Sequence, residues 1–594
     1  MADMFKDLVN EQYLNIEEKY KADESVVRVT EIEQAPPITQ NLNDPGLIEI
    51  TIGSGTSDWV LPSESYLYVE GRLLIQSDDK TTWNPPKKTS KAFPDVSLGN
   101  NAIMYLFNNA RYSLNDVEIE NFNYPGYITT IHGLLTNPKP FNGLDQCWAI
   151  DTYDGRPVPS FYYSPMNEFT DEVMPAAAGN PTAAEYRVIM KLLIPAFNTV
   201  NSFSGDDEVA NVVDADLPCT GGNPTREEIY NACIVIFKKI DKATPVILNY
   251  ITQAEIPDAA TATLRLTINK IVKSLNLFLV NEQAGNQYNK GFLKRFQIAC
   301  NPFDKIQTAD NAGLFSFRIP LKFIFNFCDQ YKKVMFGCKH TISLNRAISD
   351  DDAIFKDRKM MLGKIQINAL RWYMPRITPS LTYSTYLLNL VKSNVEVPIA
   401  FMSKRLEIFT VTPGNTIQSF PLTFSNDIGK PRYIVAGFQA LDRGDPLINN
   451  YTEQDYNHAV FNDVSRTTGM MDISFIRLTF NGEPSSTTSY YNSFKMGRGA
   501  RWYQEFKKFR KYYTGSDDNT GGISYNDFIN LYRLYVFDVS KQDEMVTNGA
   551  NNINIEFNFA TAPATIHKTT LYCVSYYDKV LTLKADGTRQ YIVR

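Results

Sequence analysis

The feature that most limits the fold is an internal echo. The stretch Ala110-Arg111-Tyr112-Ser113-Leu114-Asn115-Asp116-Val117 alternates and then breaks at an Asn-Asp pair. Ile476-Arg477-Leu478-Thr479-Phe480-Asn481-Gly482-Glu483 repeats that form and ends in Asn-Gly. Both dipeptides tolerate the left-handed backbone that a tight hairpin requires. Arg111 and Arg477 stand 366 residues apart. Upstream, the strand-like runs Tyr66 to Leu74 and Arg432 to Gln439 each contain a glycine, Gly71 and Gly437, again 366 apart. Two landmarks at one offset predict a duplication, so the chain is expected to hold two copies of one strand-rich unit.

Bulk properties agree with this and exclude other classes. At 594 residues the chain is too long for one core. Its 34 tyrosines and 36 phenylalanines suit strands. Hydrophobic residues at 43% and charged residues at 21% are ordinary for a globular protein. A net charge of −6 argues against a surface built throughout for nucleic acid, so no sequence-specific nucleic-acid partner is expected. No apolar run is long enough for a membrane span, and Met1 to Lys6 lacks the apolar core of a signal peptide. Seven cysteines without Cys-x-x-Cys spacing read as reduced, mostly buried thiols; the closest pair is Cys328 and Cys338.

In chain order, residues 1–40 read as an amphipathic helix and an arm. Phe5, Leu8, Val9, Ile16 and Tyr20 fall near one helical face, which cannot be buried by that helix alone. Pro36-Pro37 marks a linker. Residues 41–380 form the first unit, opening with the alternating Leu47, Ile48, Ile50 and Ile52. Asn100 to Phe107 fits a strand or a short helix, and Asn123-Tyr124-Pro125-Gly126 reads as a turn. Residues 200–285 differ: Thr225 to Glu228 is a capping box, followed by Ile229, Cys233, Ile236, Phe237 and Ile240 at helical spacing. A second set runs from Ile268 to Leu279, which predicts a helical insertion. Residues 395–594 form the second unit.

Strands around Phe317, Val334 to Leu344 and Lys364 to Tyr373 find counterparts around Tyr535, at Ile553 to Phe557 and at Thr570 to Tyr577. Arg111 to Phe317 is 206 residues and Arg477 to Tyr535 is 58, so the first unit holds 148 extra residues that include the helical segment. Short strands without βαβ alternation argue for antiparallel sandwiches. The expected fold is all-β: two tandem eight-stranded antiparallel jelly-roll sandwiches, a double jelly roll, with a helical insertion in the first.

Several stretches carry a family resemblance. They are Leu61 to Leu73 (LPSESYLYVEGRL), Asn100-Asn101-Ala102-Ile103, Asn123-Tyr124-Pro125-Gly126, Arg318 to Cys328 (RIPLKFIFNFC), Lys430 to Gln439 (KPRYIVAGFQ) and Asp538 to Gln542 (DVSKQ). In this order they resemble the double jelly-roll major capsid proteins of Polinton (Maverick) elements, adintoviruses, polinton-like viruses and virophages. Residues 200–285 depart from that pattern. The resemblance implies a shell subunit: a pseudo-hexagonal homotrimer that tiles an icosahedral virion shell, synthesised and assembled inside the host cell. It implies neighbouring capsid trimers and penton, vertex and minor capsid proteins as partners. The inserted segment would project outward or cover the trimer, and the N-terminal helix would lie inside.

Rival chemistry finds little footing. His132, His340, His458 and His567 lie far apart in sequence, so a cupin-like metal site lacks its close ligand pair. Gly53-Ser54-Gly55 has no third glycine and reads as a turn, and no Gly-x-Ser-x-Gly elbow occurs. Ser516 to Asp527 has part of a calcium-loop pattern, but lacks the first Asp and the final Glu and reads as a turn between a helix and a strand. Asp350-Asp351-Asp352 and Asp206-Asp207 read as solvated loops. In Arg501 to Lys511, Trp502, Phe506 and Phe509 form a packing stripe, with the cations solvating the outside. Asn450-Tyr451-Thr452 is a chance glycosylation triplet. No catalytic, cofactor-binding or metal-ligating residue is assigned, and an enzyme is not expected. The competing reading is a jelly-roll binding module, such as a spike or lectin-like attachment protein.

Overall fold

The computed structural model describes residues 25–53, 59–76, 82–85, 96–137, 144–151, 295, 313–356, 363–393, 396–423, 431–440, 461, 464–465, 469–470, 473–480, 482–484, 490–491, 497–515, 522–540, 552–560, 562, 569–585 and 590–593. The predicted N-terminal helix, the 200–285 insertion, His458, His567 and Asn450 to Thr452 lie outside them.

The first half holds β1 (Val26–Gln34), β2 (Gly46–Ile52), β3 (Tyr66–Gln76), β4 (Phe107–Leu114), β5 (Val117–Asn123), β6 (Leu314–Pro320), β7 (His340–Arg346) and β8 (Gly363–Pro379). The second holds β9 (Val397–Thr410), β10 (Ile417–Thr423), β11 (Pro431–Ala440), β12 (Ile473–Phe480), β13 (Glu483–Pro484), β14 (Leu534–Asp538), β15 (Asn552–Phe559) and β16 (Thr569–Ala585). All these ladders are antiparallel. One sheet of the first half runs β1-β8-β3-β6 and the other β2-β7-β4-β5. In the second half the paths are β9-β16-β11-β14 and β10-β15-β12-β13. Each strand therefore reappears eight labels later, at the same place in the same sheet, and the fold is a double jelly roll. The sheets also carry short additional strands, such as Trp59–Val60 and Met335–Phe336 in the first and Gln590–Val593 in the second.

The opening motif is the clearest match. β4 and β12 have the same length and the same succession of buried and half-buried positions. Their offset is 366 residues, from Phe107 to Ile473. After β4, Asn115 and Asp116 both take positive φ, 46° and 66°, giving the two-residue hairpin whose twist suits the flanking strands. After β12, Gly482 has φ +88°. The glycine landmark, in contrast, is one residue out of step. Gly71 alternates with Leu67, Val69 and Leu73, which are all buried between the sheets. Phe438 packs on Phe557 of the opposing sheet at 4.9 Å, so its neighbour Gly437 faces the other way, towards Phe461. The rungs that do correspond are Val69, between Leu370 and Phe317, and Ala436, between Cys573 and Tyr535. The sequence match of Phe317 with Tyr535 therefore stands, and that of Gly71 with Gly437 does not.

Helices fill the connections: α1 (Ala102–Tyr105), α2 (Pro125–Thr136), α3 (Asn326–Gln330), α4 (Leu381–Lys392), α5 (Ala500–Thr514) and α6 (Tyr525–Asn530). Asn100 to Phe107 thus contains a short helix. The Asn123 to Gly126 turn opens a longer one that the sequence reading missed. Proline at the first position is pre-set for a helix, and Tyr124 supplies the left-handed step before it at φ 52°. All twelve residues of α2 are buried.

Candidate assembly surface

α2 leaves the first sandwich between β5 and β6 and lies against β9, β16 and α5 of the second. Its burial on all sides follows from that position. Tyr127 stacks on Tyr572 with centroids 4.5 Å apart. His132 Nδ1 lies 3.1 Å from the Tyr576 hydroxyl, with the Tyr513 ring edge-on at 5.1 Å. Arg510 of α5 is 1% exposed. It donates to the carbonyl of Leu135 at 3.0 Å and to that of Asn137, satisfying acceptors that the C-terminus of α2 leaves open. The stripe Trp502, Phe506 and Phe509 is buried as expected. Arg510 is the correction: it is a buried cap across the seam rather than a solvated cation.

A second polar layer crosses the seam beside α3. Glu120 of β5 accepts from the Phe327 amide at 2.8 Å and from the Ser403 hydroxyl of β9 at 3.3 Å. Lys404 of β9 donates to Asn326 Oδ1 at 2.8 Å, and Asn326 Nδ2 donates to the Met402 carbonyl at 2.7 Å. Lys579 donates to the Ile119 carbonyl at 2.5 Å. Burial raises the Glu120 pKa against the pull of Lys404, and burial lowers that of Lys404 to about 8. Every one of these groups is partnered, as a buried charge requires. Removing one sandwich would strand the polar groups of the other, so the seam fixes their relation.

His132 and His340 are held neutral by burial, the latter with a pKa lowered to about 3 and hydrogen-bonded to Tyr112 at 2.8 Å. Cys147, Cys328, Cys338 and Cys573 are buried thiols, and burial pushes Cys147 up to about 11 and Cys338 to about 12. Such thiols are poor nucleophiles. Among the described residues no three His, Cys, Asp or Glu side chains gather as a metal site. A cavity of about 20 Å³ between Asn101, Thr129, Gly133 and Trp148 has room for roughly one water molecule.

Other acidic stretches are structural. Asp350 pairs with Arg346 and accepts from the Ile365 amide, and Asp352 accepts from Tyr127, so that loop is tied down rather than solvated. Asp527 forms a capping box with Ser524 at the start of α6, which occupies the carboxylate in a helix cap. This turn leads from helix to helix, not from helix to strand.

Among the described residues, two apolar surfaces are open. β1 is an edge strand with Val27 and Val29 exposed at 70% and 59%. Its counterpart β9 is buried from Phe401 to Lys404 under the seam. The outer stripe of α4 is the second.

Residues 293–581, from before β6 into β16, match the family model of a double jelly roll-like domain. Solved structures with which this double jelly roll aligns include a Sputnik virophage structure, at 10% identity and a TM-score of 0.47, covering 98% of this chain and 91% of that one. The Faustovirus major capsid protein aligns at 9% identity and a TM-score of 0.45, over 97% and 93% of the two chains. The mavirus major capsid protein does so at 9% identity and a TM-score of 0.41, over 98% and 92%. No curated protein matches the sequence.

Proposed function

We propose that this double jelly roll is a major capsid protein, a shell subunit with no catalytic role. The observation that carries the reading is the seam: two sandwiches of one topology meet wall to wall in a single chain, locked by Glu120, Lys404, Arg510 and α2. Three such chains offer six similar walls, which is the geometry of a pseudo-hexagonal trimer. Within the chain, the β5 edge and the β6–β7 connection meet β9 and β16. One repeat further on, the corresponding pair is the β13 edge and the β14–β15 connection of one chain against β1 and β8 of the next. Support comes from β1, whose Glu31 and Glu33 are exposed at the rungs where Met402 and Lys404 of the matching β9 are covered. Trimers of this outline tile an icosahedral virion shell, and neighbouring trimers and vertex proteins are then the partners.

Light scattering on the purified chain tests this: a trimer or larger assembly is expected. A stable monomer at micromolar concentration overturns the shell reading and favours a binding module such as an attachment protein.

A further inference from the structure

α4 joins the two sandwiches, and only part of it is covered. Leu387, Leu388 and Val391 pack on Trp59, Phe336 and Ile377. The other side presents Leu381, Tyr383, Tyr386 and Leu390, exposed at 84%, 50%, 61% and 39%. Tyr383, Tyr386 and Leu390 recur at i, i+3 and i+7, which places them in one stripe. Four large apolar side chains on one short helix exceed the scattered exposure that surfaces ordinarily tolerate.

A cover lies close in the chain. The Ser380 amide, at the residue before α4, donates to the Ser25 carbonyl at 2.9 Å. The N-terminal segment therefore starts out beside the first turn of α4. Its Phe5, Leu8, Val9, Ile16 and Tyr20 form a second apolar stripe at helical spacing. We propose that residues 4–20 dock this stripe on the Tyr383, Tyr386 and Leu390 face of α4 in the same chain.

The tether is short. Residues 21–24 span at most about 14 Å when extended. α4 has 12 residues and is about 18 Å long, so the segment reaches it without strain. A tether of this length holds the segment at an effective concentration on the order of millimolar. A contact of only about 1 mM affinity is then half occupied, whereas a separate partner at micromolar concentration would need to bind about a thousandfold more tightly. Charge fits as well: residues 1–24 carry seven acidic and three basic side chains, while α4 has no acidic residue and ends at Lys392. The docked segment would brace the joint between the sandwiches, and this holds whether or not the chain builds a shell.

Hydrogen exchange on the full chain tests the docking. Leu8→Asp with Val9→Asp is expected to speed exchange over residues 381–392 at least tenfold, leaving β4 and β12 unchanged. Conversely, Tyr386→Ala is expected to raise protease cleavage within residues 1–24 by a similar factor. Unchanged exchange or unchanged cleavage overturns the proposal. So does protection of α4 that disappears on dilution, because the covering segment would then belong to another chain. Protection of α4 in a protein that stays monomeric would keep the docking while removing the shell reading.

Discussion

Arg111 and Arg477 hold the same rung of the two sandwiches, and the glutamate and serine beside them have changed places. Arg111 of β4 lies opposite Ser343 of β7, which lies opposite Glu49 of β2. Arg111 donates to Ser343, which donates to Glu49, each at 3.3 Å. Arg477 of β12 lies opposite Glu556 of β15, which lies opposite Ser419 of β10. There the arginine meets the carboxylate directly at 2.6 Å. Each sheet keeps one cation, one anion and one hydroxyl in the row.

That exchange makes the row transplantable. Ser343→Glu together with Glu49→Ser gives the first sandwich the arrangement of the second, and stability should stay within about 0.5 kcal/mol of the parent. Ser343→Glu alone places two carboxylates side by side and should cost about 0.5–1 kcal/mol. Urea unfolding midpoints of the three proteins decide it.

The buried pair at the seam should behave differently from a surface pair. Removing one partner, as in Lys404→Met or Glu120→Leu, leaves the other charge buried with only part of its Coulombic support, Lys579 for Glu120 and Asp329 for Lys404, and should cost roughly 1–3 kcal/mol. The double variant should recover a large part of that loss, because both desolvation costs vanish together. A double-mutant cycle in urea measures the coupling; additive losses would show that the two groups do not act as a pair.

Two glycines that look alike in sequence should tolerate alanine unequally. A Cβ at Gly71 would come within 2.8 Å of the Gln366 carbonyl oxygen, a backbone atom, and 2.5 Å of the Phe315 ring. At Gly437 the nearest atom is the tip of Leu534, at 2.9 Å, which can turn aside. Gly71→Ala should cost about 1–3 kcal/mol and Gly437→Ala clearly less, read as the difference in urea midpoints.

The buried histidines set an acid limit. Burial lowers the His340 pKa from the ordinary 6.5 to about 3, so its contribution is complete above 6.5 and is lost as pH falls towards 3. Burial moves His132 in the same direction. Each should add about 1.4 kcal/mol per pH unit to the loss of stability below 6.5. Lys404 works in a different window: its depressed folded value makes its contribution complete above 10.5 and lost as pH falls to about 8. His340→Asn should lower the slope of stability against pH by one proton between 6.5 and 5, measured by urea unfolding at successive pH values. An unchanged slope would mean that the ring does not titrate on unfolding.

How much of this was legible in the sequence depends on which face of an element meets water. β4 and β12 each keep half-buried positions between buried ones, so alternation and the turn residues exposed the repeat. β11 and β14 lie under Phe461 and α5 and are buried almost throughout. Alternation disappears there, and a one-residue slip at Gly437 goes unnoticed. α2 escaped because a helix buried on every side has no polar face to set its period, although proline at its start was a usable signal. Arg510 followed the same logic: its solvated neighbours Lys508 and Lys511 suggested an outer face, and only the fold shows which carbonyls it caps.

A density map of the assembled protein tests the central claim most directly. Six sandwiches per capsomer from three chains, with β1 of each chain facing the β13 edge of the next, is the predicted result. A capsomer with any other number of sandwiches, or one that leaves β1 facing solvent, would contradict it.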